Sequence, residues 1–246
     1  MTKKIIAGLI GVLLMGVGAA AHAASCPAAP PAQIVFDATP SPTPQDTSLS
    51  AKDLAAKLGA GPDRLAPGHY DANVAFSARR DTAIAKLPDG TVCAALAKLT
   101  VKVSLDRKLW LAKELTDNAC VLKAFGTSYG AQAKADDDTI AQFGQTIAAS
   151  YQGKVSAIGW QTSKSQEDAN KAISDKLSPI LTDIQTKFEE QRTAAQSKID
   201  LSKPPADGCD GATEKLGHQV GMGNVAAQAP KKELHTSPGA AGGSKY

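Results

Sequence analysis

The sequence predicts an α+β fold: a small antiparallel sheet packed by two main C-terminal helices, supported by disulfides and followed by a disordered tail. Three observations predict this fold. Apolar residues alternate through the middle of the chain, they change to helical spacing beyond residue 120, and four cysteines are spread along the chain. Hydrophobic residues make up 43% of the 246 residues but aromatic residues only 4%. We therefore expect a thin, helix-rich core that disulfides help to stabilise.

The first 23 residues have the features of a signal peptide. Lys3 and Lys4 form a positive start, an apolar run extends from Ile5 to Val17, and Ala21-His22-Ala23 supplies the small-x-small pattern that signal peptidase cleaves. The apolar run is short for a membrane-spanning helix, and proline-rich sequence follows it. We expect an exported protein, periplasmic or extracellular, without a transmembrane helix.

Composition divides the rest of the chain into three parts. Residues 24–48 are rich in proline and predict an extended leader with one strand candidate, Gln33 to Ala38. Residues 49–209 hold the apolar patterns and predict a single α+β domain. Residues 210–246 are dominated by Gly, Ala and Pro and predict a disordered tail.

The middle of the chain predicts a β-hairpin. His69 to Ala78 and Thr82 to Leu87 alternate loosely between apolar and polar residues. Pro88-Asp89-Gly90 is a turn signal, and Leu99 to Leu105 alternates well, with apolar side chains on one face. Before them, Ser50 is a typical N-cap and predicts a short helix.

Helical spacing of apolar residues predicts two helices beyond residue 120. The first extends from about Ala131 to Gln152. The second begins at Ser165 and reaches Ile199, with a bend where Pro179 removes a backbone donor. Charged residues cover its outer face, which favours a solvated helix packed on the sheet. A protein partner bound through residues 165–199 is the alternative.

All four cysteines lie after the signal peptide, and an even number in an oxidising compartment favours two disulfides with three possible pairings. We expect Cys93–Cys120 and Cys26–Cys209, the second joining the two ends of the ordered region. A lipid anchor on Cys26 is the less favoured alternative, because the residue three positions before it is Ala23, where lipoprotein signals usually have Leu.

Residues that could carry catalysis are few. Gly126-Thr127-Ser128-Tyr129-Gly130 fits G-x-S-x-G, and Ser128 and His69 are the weak catalytic candidates, but no parallel strands follow to carry the acid and the histidine of a hydrolase. We interpret the motif as a chance match. Asp136, Asp137 and Asp138 lack the alternate spacing of a calcium loop and are interpreted as a solvated helix face. The sequence predicts no metal site and no cofactor.

The net charge of the chain bears on the class of partner. With 27 basic and 24 acidic residues the formal charge is only +3. Such a near-neutral chain offers no bulk electrostatic attraction to nucleic acid. We expect no nucleic-acid partner.

The order of these features resembles the predicted secreted zinc-dependent protease family of the bacterial envelope. The resemblance covers about residues 48–200. It is carried by five short segments: Leu54-Ala55-Ala56-Lys57-Leu58, Thr91-Val92-Cys93, Val101-Lys102-Val103, Ala119-Cys120 and the helix with Ile140 and Phe143. Active members of the family are expected to place HExxH on the helix after the second cysteine, where two histidines one turn apart bind zinc.

This chain has Ser128-Tyr129-Gly130-Ala131-Gln132 in the corresponding register. Ser128 and Gln132 replace the two zinc ligands, and Tyr129 replaces the base. The resemblance therefore implies a member that lacks the zinc site. We expect an exported cell-envelope protein with a non-catalytic binding or structural role on a protease-like scaffold. The alternative is a secreted hydrolase, either a zinc metalloprotease relative or a serine hydrolase that uses Ser128.

Overall fold

The computed structural model describes residues 25–38, 41–206 and 208–221, so the predicted signal peptide and most of the predicted tail lie outside the described residues. The fold is α+β, as the sequence predicts. The elements in chain order are β1 (Gln33–Ala38), β2 (Gln45–Asp46), α1 (Ala51–Lys57), β3 (Gly68–Lys86), β4 (Val92–Leu111), a 3-10 helix (Lys113–Asp117), α2 (Ala119–Ser156), β5 (Trp160–Ser163), α3 (Gln166–Gln196) and α4 (Ala212–Gln219). The helix α4 occupies part of the segment predicted as tail, and Val220 just after it is buried.

The sheet is built around β4, which is its central strand. The long strand β3 pairs antiparallel with β4 from Gly68↔Leu111 to Lys86↔Val92. Along the other edge of β4, three short strands follow one another: β5 antiparallel, then β1 and β2 parallel. The sheet is therefore mixed, and not purely antiparallel as expected, because the leader segment supplies β1 and β2.

The hairpin between β3 and β4 turns at the predicted Pro88-Asp89-Gly90. Gly90 has φ +80, a backbone conformation that glycine adopts without steric cost. The Asp89 carboxylate accepts the Thr91 backbone N–H at 2.9 Å and so fixes the turn. The two strand segments predicted on either side of residue 80 form one continuous strand, because β3 stays in register with β4 across them apart from one bulge after Asp81.

Two long helices cover one face of the sheet. The odd-numbered residues of β4 from Leu99 to Leu105 are buried against α2 and α3. Four rings join the layers edge to face: Phe36 contacts Phe143, Phe143 contacts Phe188, and Phe188 contacts Phe76. A Cβ at Gly144 would lie 2.8 Å from the Phe36 ring, so the glycine lets α2 approach β1 closely. The predicted packing of two helices on a sheet is confirmed.

Both disulfides form, but with a pairing different from the one expected. Cys26 is bonded to Cys93 and Cys120 to Cys209. The expected Cys93–Cys120 bond is wrong for a geometric reason: β4 carries the chain from one end of the sheet to the other, a span of roughly 60 Å at ~3.3 Å per residue. Disulfides require Cα atoms within about 7 Å, so Cys93 and Cys120 cannot be joined.

Candidate functional site

The second face of the sheet is open over most of its length. From Lys98 onward, after the bulge, the even-numbered residues of β4 point away from the helices, and Lys102, Ser104 and Asp106 among them are exposed. Their cross-strand neighbours on β3 are also polar or small: Ser77 lies opposite Lys102, and Asn73 opposite Asp106. The alternation of β4 therefore separates a dry helix-covered face from a polar open face.

Short segments cover the open face only at its two ends. At one end α1 packs over Trp110, and the Lys57 and Lys108 ammonium groups lie 4.7 Å and 3.9 Å from the centre of the Trp110 ring. At the other end, the Cys26–Cys93 disulfide ties the leader to the start of β4, and the Trp160 indole N–H donates to the Pro27 carbonyl. The middle of the face remains accessible.

A shallow groove of about 420 Å³ lies on this open middle part. Its charges are of both signs: Arg79, Lys98 and Lys102 line it together with Asp37 and Asp81. The Arg79 guanidinium is 3.5 Å from the Asp81 carboxylate, and both side chains are largely exposed. A mixed, solvated surface of this kind suits a polar partner better than an apolar small molecule.

The outer edge of β3 is the longest free strand edge. Within residues 25–38, 41–206 and 208–221, β4 is the one strand that pairs with β3. The other edge of β3 therefore presents backbone N–H and C=O groups along a strand of 19 residues. An unpaired edge of this length is a template on which another extended chain can add.

A buried network centred on Asp136 fixes the geometry beneath the open face. The Asp136 side chain is 1% exposed and accepts four hydrogen bonds. The Tyr70 hydroxyl donates at 2.7 Å, Arg192 Nε at 2.9 Å and Nη2 at 3.1 Å, and Gln196 Nε2 at 2.7 Å. The network thus joins β3, α2 and α3. Burial and the hydrogen bond to Asp136 raise the pKa of Tyr70, and although burial opposes it, the pairing with Asp136 raises the pKa of Arg192.

A buried cation, Arg107, extends this network to the leader. Arg107 is 6% exposed; its Nη1 donates to Asp137 at 2.8 Å and to the Ala133 carbonyl at 3.2 Å, and its Nε donates to the Ser41 carbonyl at 2.8 Å. Sequence reasoning missed this residue. The sequence nevertheless indicates its burial, because Arg107 continues the inward-facing series of β4 between Leu105 and Leu109. A charge at such a position needs a buried partner.

The interpretation of Asp136, Asp137 and Asp138 as a solvated helix face is wrong for the first of them. Asp136 lies on the inner face of α2, Asp137 pairs with Arg107, and Asp138 forms an exposed i,i+4 pair with Lys134 at 2.7 Å. Three consecutive residues of a helix point about 100° apart, so one faces the core and one faces solvent.

The structure does not bring the two weak catalytic candidates together. Ser128 lies inside α2, so the G-x-S-x-G segment is helical and does not form the strand-to-helix turn that exposes a nucleophile. His69 pairs with Trp110 on the open face of β3, whereas α2 packs on the opposite face. Burial lowers the pKa of His69. Ser128 instead borders a groove beside the Cys120–Cys209 disulfide.

Two further sequence hypotheses concern Cys26 and the helix over residues 165–199. The Cys26 sulfur is bonded to Cys93, and a thioether-linked lipid would need the same sulfur. The apolar stripe of α3 is buried, with Ile173, Ile184 and Phe188 each 0% exposed. What α3 offers to a partner is therefore its charged outer face.

Among the described residues, no helix is long and apolar enough to cross a membrane, and no group of three or more His, Cys, Asp or Glu side chains is placed to hold a metal ion.

Comparison with known proteins adds no family to these observations. No family model, no curated protein and no solved structure matches the chain.

Proposed function

We propose that this protein is an exported, non-catalytic binding protein that engages another polypeptide through the uncovered side of its sheet. The single observation that carries the proposal is the free edge of β3, 19 residues long and bordered by an open polar face. Backbone groups on such an edge supply affinity, and side chains on the open face supply selectivity. The two disulfides are in keeping with a periplasmic or extracellular location.

The same proposal includes the protease-like scaffold that the sequence resemblance implies. In α2, Ser128 and Gln132 lie one helical turn apart, the spacing at which a zinc protease places its two histidines. A serine hydroxyl and a glutamine amide are poor ligands for catalytic zinc, which takes His, Cys and carboxylate groups. We propose that the scaffold retains the helix of such an enzyme without its chemistry, and that binding has become its role.

In-cell photocrosslinking tests the proposed function. A photoreactive residue replaces Ser77, which is exposed on β3, and in a matched control it replaces Lys187, which is exposed on α3. We expect a discrete crosslinked species from position 77 and none from position 187. No adduct at either position, or equal adducts at both, would overturn the proposal. Mass spectrometry of the adduct identifies the polypeptide that was bound.

A further inference from the structure

We propose that two chains pair their β3 strands antiparallel about a two-fold axis at Ala75, which joins two five-stranded sheets into one continuous sheet. The inference rests on the proposed function, because it names the polypeptide that the edge binds. A two-fold axis makes the contact self-complementary and closed, so the pairing ends at a dimer.

The symmetry decides which residues meet. A residue a given number of positions before Ala75 lies opposite the residue the same number of positions after it. Asp71 therefore lies opposite Arg79 of the second copy. Asn73 lies opposite Ser77, and Val74 opposite Phe76. The two residues of each pair lie on the same face of the joined sheet. The polar pairs lie on the open face, and the Val74–Phe76 pair lies on the face that carries the helices.

The charges on β3 are complementary in this register. Asp71 and Arg79 form two symmetric pairs of opposite charge, one at each end of the contact. Asp71, Asn73, Ala75, Ser77 and Arg79 are all exposed in the single chain, so they are accessible to a second copy. Val74 and Phe76 are partly buried hydrophobic residues at the rim of the main core, and their pairing extends that core across the axis.

Two competing registers bring like charges together, and the register centred on Ala75 pairs opposite charges without doing so. Asp71 and Asp81 are the carboxylates that share the open face of β3 with Arg79, so two symmetric registers pair Arg79 with an acid. The register that uses Asp81 is centred on Arg80 and places that guanidinium against its own copy. A register centred on Phe76 places Asp71 against Asp81. Charges on an edge strand usually prevent strand addition; on β3 they select the register centred on Ala75.

Charge exchange tests the pairing with the full mature chain. Asp71→Arg puts arginines at both positions of the contact, and Arg79→Asp puts aspartates there. We expect the wild type to sediment as a dimer and each single variant to show a dimer dissociation constant weakened by about 30-fold, because two attractions become two repulsions. An equimolar mixture of the two variants, and the double variant Asp71→Arg/Arg79→Asp, restore the wild-type constant.

Matched variants separate this register from its rivals. Lys86→Asp changes the charge of an exposed residue of the same strand outside the contact, and we expect it to leave the dimer intact. Asp81→Arg would abolish a dimer centred on Arg80 and only mildly affect one centred on Ala75. Thermal unfolding followed by circular dichroism confirms that each variant is folded.

Three results would overturn the inference. They are a wild type that is monomeric up to about 100 µM, single variants that dimerise as the wild type does, and loss of the dimer in Asp81→Arg with Asp71→Arg unaffected. A monomeric wild type that crosslinks from position 77 to a different protein would overturn the self-pairing and support the proposed function. Failure of the crosslinking itself would overturn the proposed function, so the two failures are distinguishable.

Discussion

Alanine substitution at three consecutive residues, Asp136, Asp137 and Asp138, separates the buried network from the solvated helix surface. Asp136→Ala removes four hydrogen bonds and leaves Arg192 without its carboxylate. Breaking a buried ion pair by removing one partner costs about 3–5 kcal/mol. The Arg192 side chain is 19% exposed and regains some hydration. We therefore expect a loss of about 3 kcal/mol.

The two neighbours serve as graded controls. Asp137→Ala unpairs the buried Arg107, which keeps its hydrogen bonds to Ser41 and Ala133. Asp137 accepts two hydrogen bonds from Arg107, at 2.8 Å and 3.4 Å, but its side chain is 38% exposed. We therefore expect a loss of about 1.5 kcal/mol, at the lower end of the range for hydrogen bonds to a charged group. Asp138→Ala removes an exposed i,i+4 pair, and we expect a change of about 0.5 kcal/mol or less. Each substitution gains the same helix propensity from alanine, so propensity does not affect the order.

Urea unfolding of the oxidised chain measures the three free energies of unfolding. The slope against urea should be the same in all variants, so that differences in midpoint report stability. The double variant Asp136→Ala/Arg192→Ala should lose less than the sum of the single variants, because it leaves no unpaired guanidinium. Equal losses at the three positions, or the largest loss at Asp138, would refute the buried network.

The remaining predictions concern tyrosine ionisation, the disulfides and catalysis. Burial raises the pKa of Tyr70 and Tyr129, and burial together with Asp183 raises that of Tyr151 to about 12. Because the unfolded chain releases these protons first, the contribution of the three tyrosines to stability should be constant below about pH 10 and fall as the pH rises further. Absorbance at 295 nm during alkaline titration checks this, and tyrosinate formation at pH 10 in all three residues before unfolding would disprove it. The disulfides close separate loops with sequence separations of 67 and 89. Removing either one, as Cys26→Ala/Cys93→Ala or as Cys120→Ala/Cys209→Ala, should lower the free energy of unfolding in urea by about 4 kcal/mol. A loss below about 1 kcal/mol from either variant would contradict that stabilisation. Elemental analysis of the purified protein should find zinc well below one per chain, and Ser128→Ala should leave any trace of peptidase activity unchanged; stoichiometric zinc, or activity lost in that variant, would favour the hydrolase alternative.

Local sequence pattern was sufficient for the elements whose burial is regular. The strand candidate Gln33 to Ala38 has the bounds of β1, and the hairpin turns at the predicted Pro-Asp-Gly. The helix predicted from about Ala131 begins at Ala119, because Val121, Phe125 and Tyr129 continue its buried stripe past two glycines. Those glycines, read as a loop, are what made G-x-S-x-G look like a turn.

Contacts between distant segments could not be predicted from local sequence pattern. The disulfide pairing depends on which ends of β4 and α2 meet, and this is fixed only when the sheet forms. Parallel pairing of β1 and β2 with β4 likewise follows from the path of the leader across the sheet. The burial of Asp136 could have been predicted from the sequence, because Asp136 lies between Ala133 and Ile140 at helical spacing. Only the positions of Arg107 and Arg192 in the fold explain why a carboxylate can occupy that buried position.

Hydrogen exchange along β3 tests most directly the claim that its outer edge binds another chain. The measurement compares the purified wild type, Asp71→Arg and Lys86→Asp at one concentration by mass spectrometry. Peptides covering residues 71–79 should exchange more slowly in the wild type and Lys86→Asp than in Asp71→Arg, while peptides from α2 and α3 exchange alike in all three. Equal exchange of β3 in the three proteins, or a difference that spreads through α2 and α3, would contradict it.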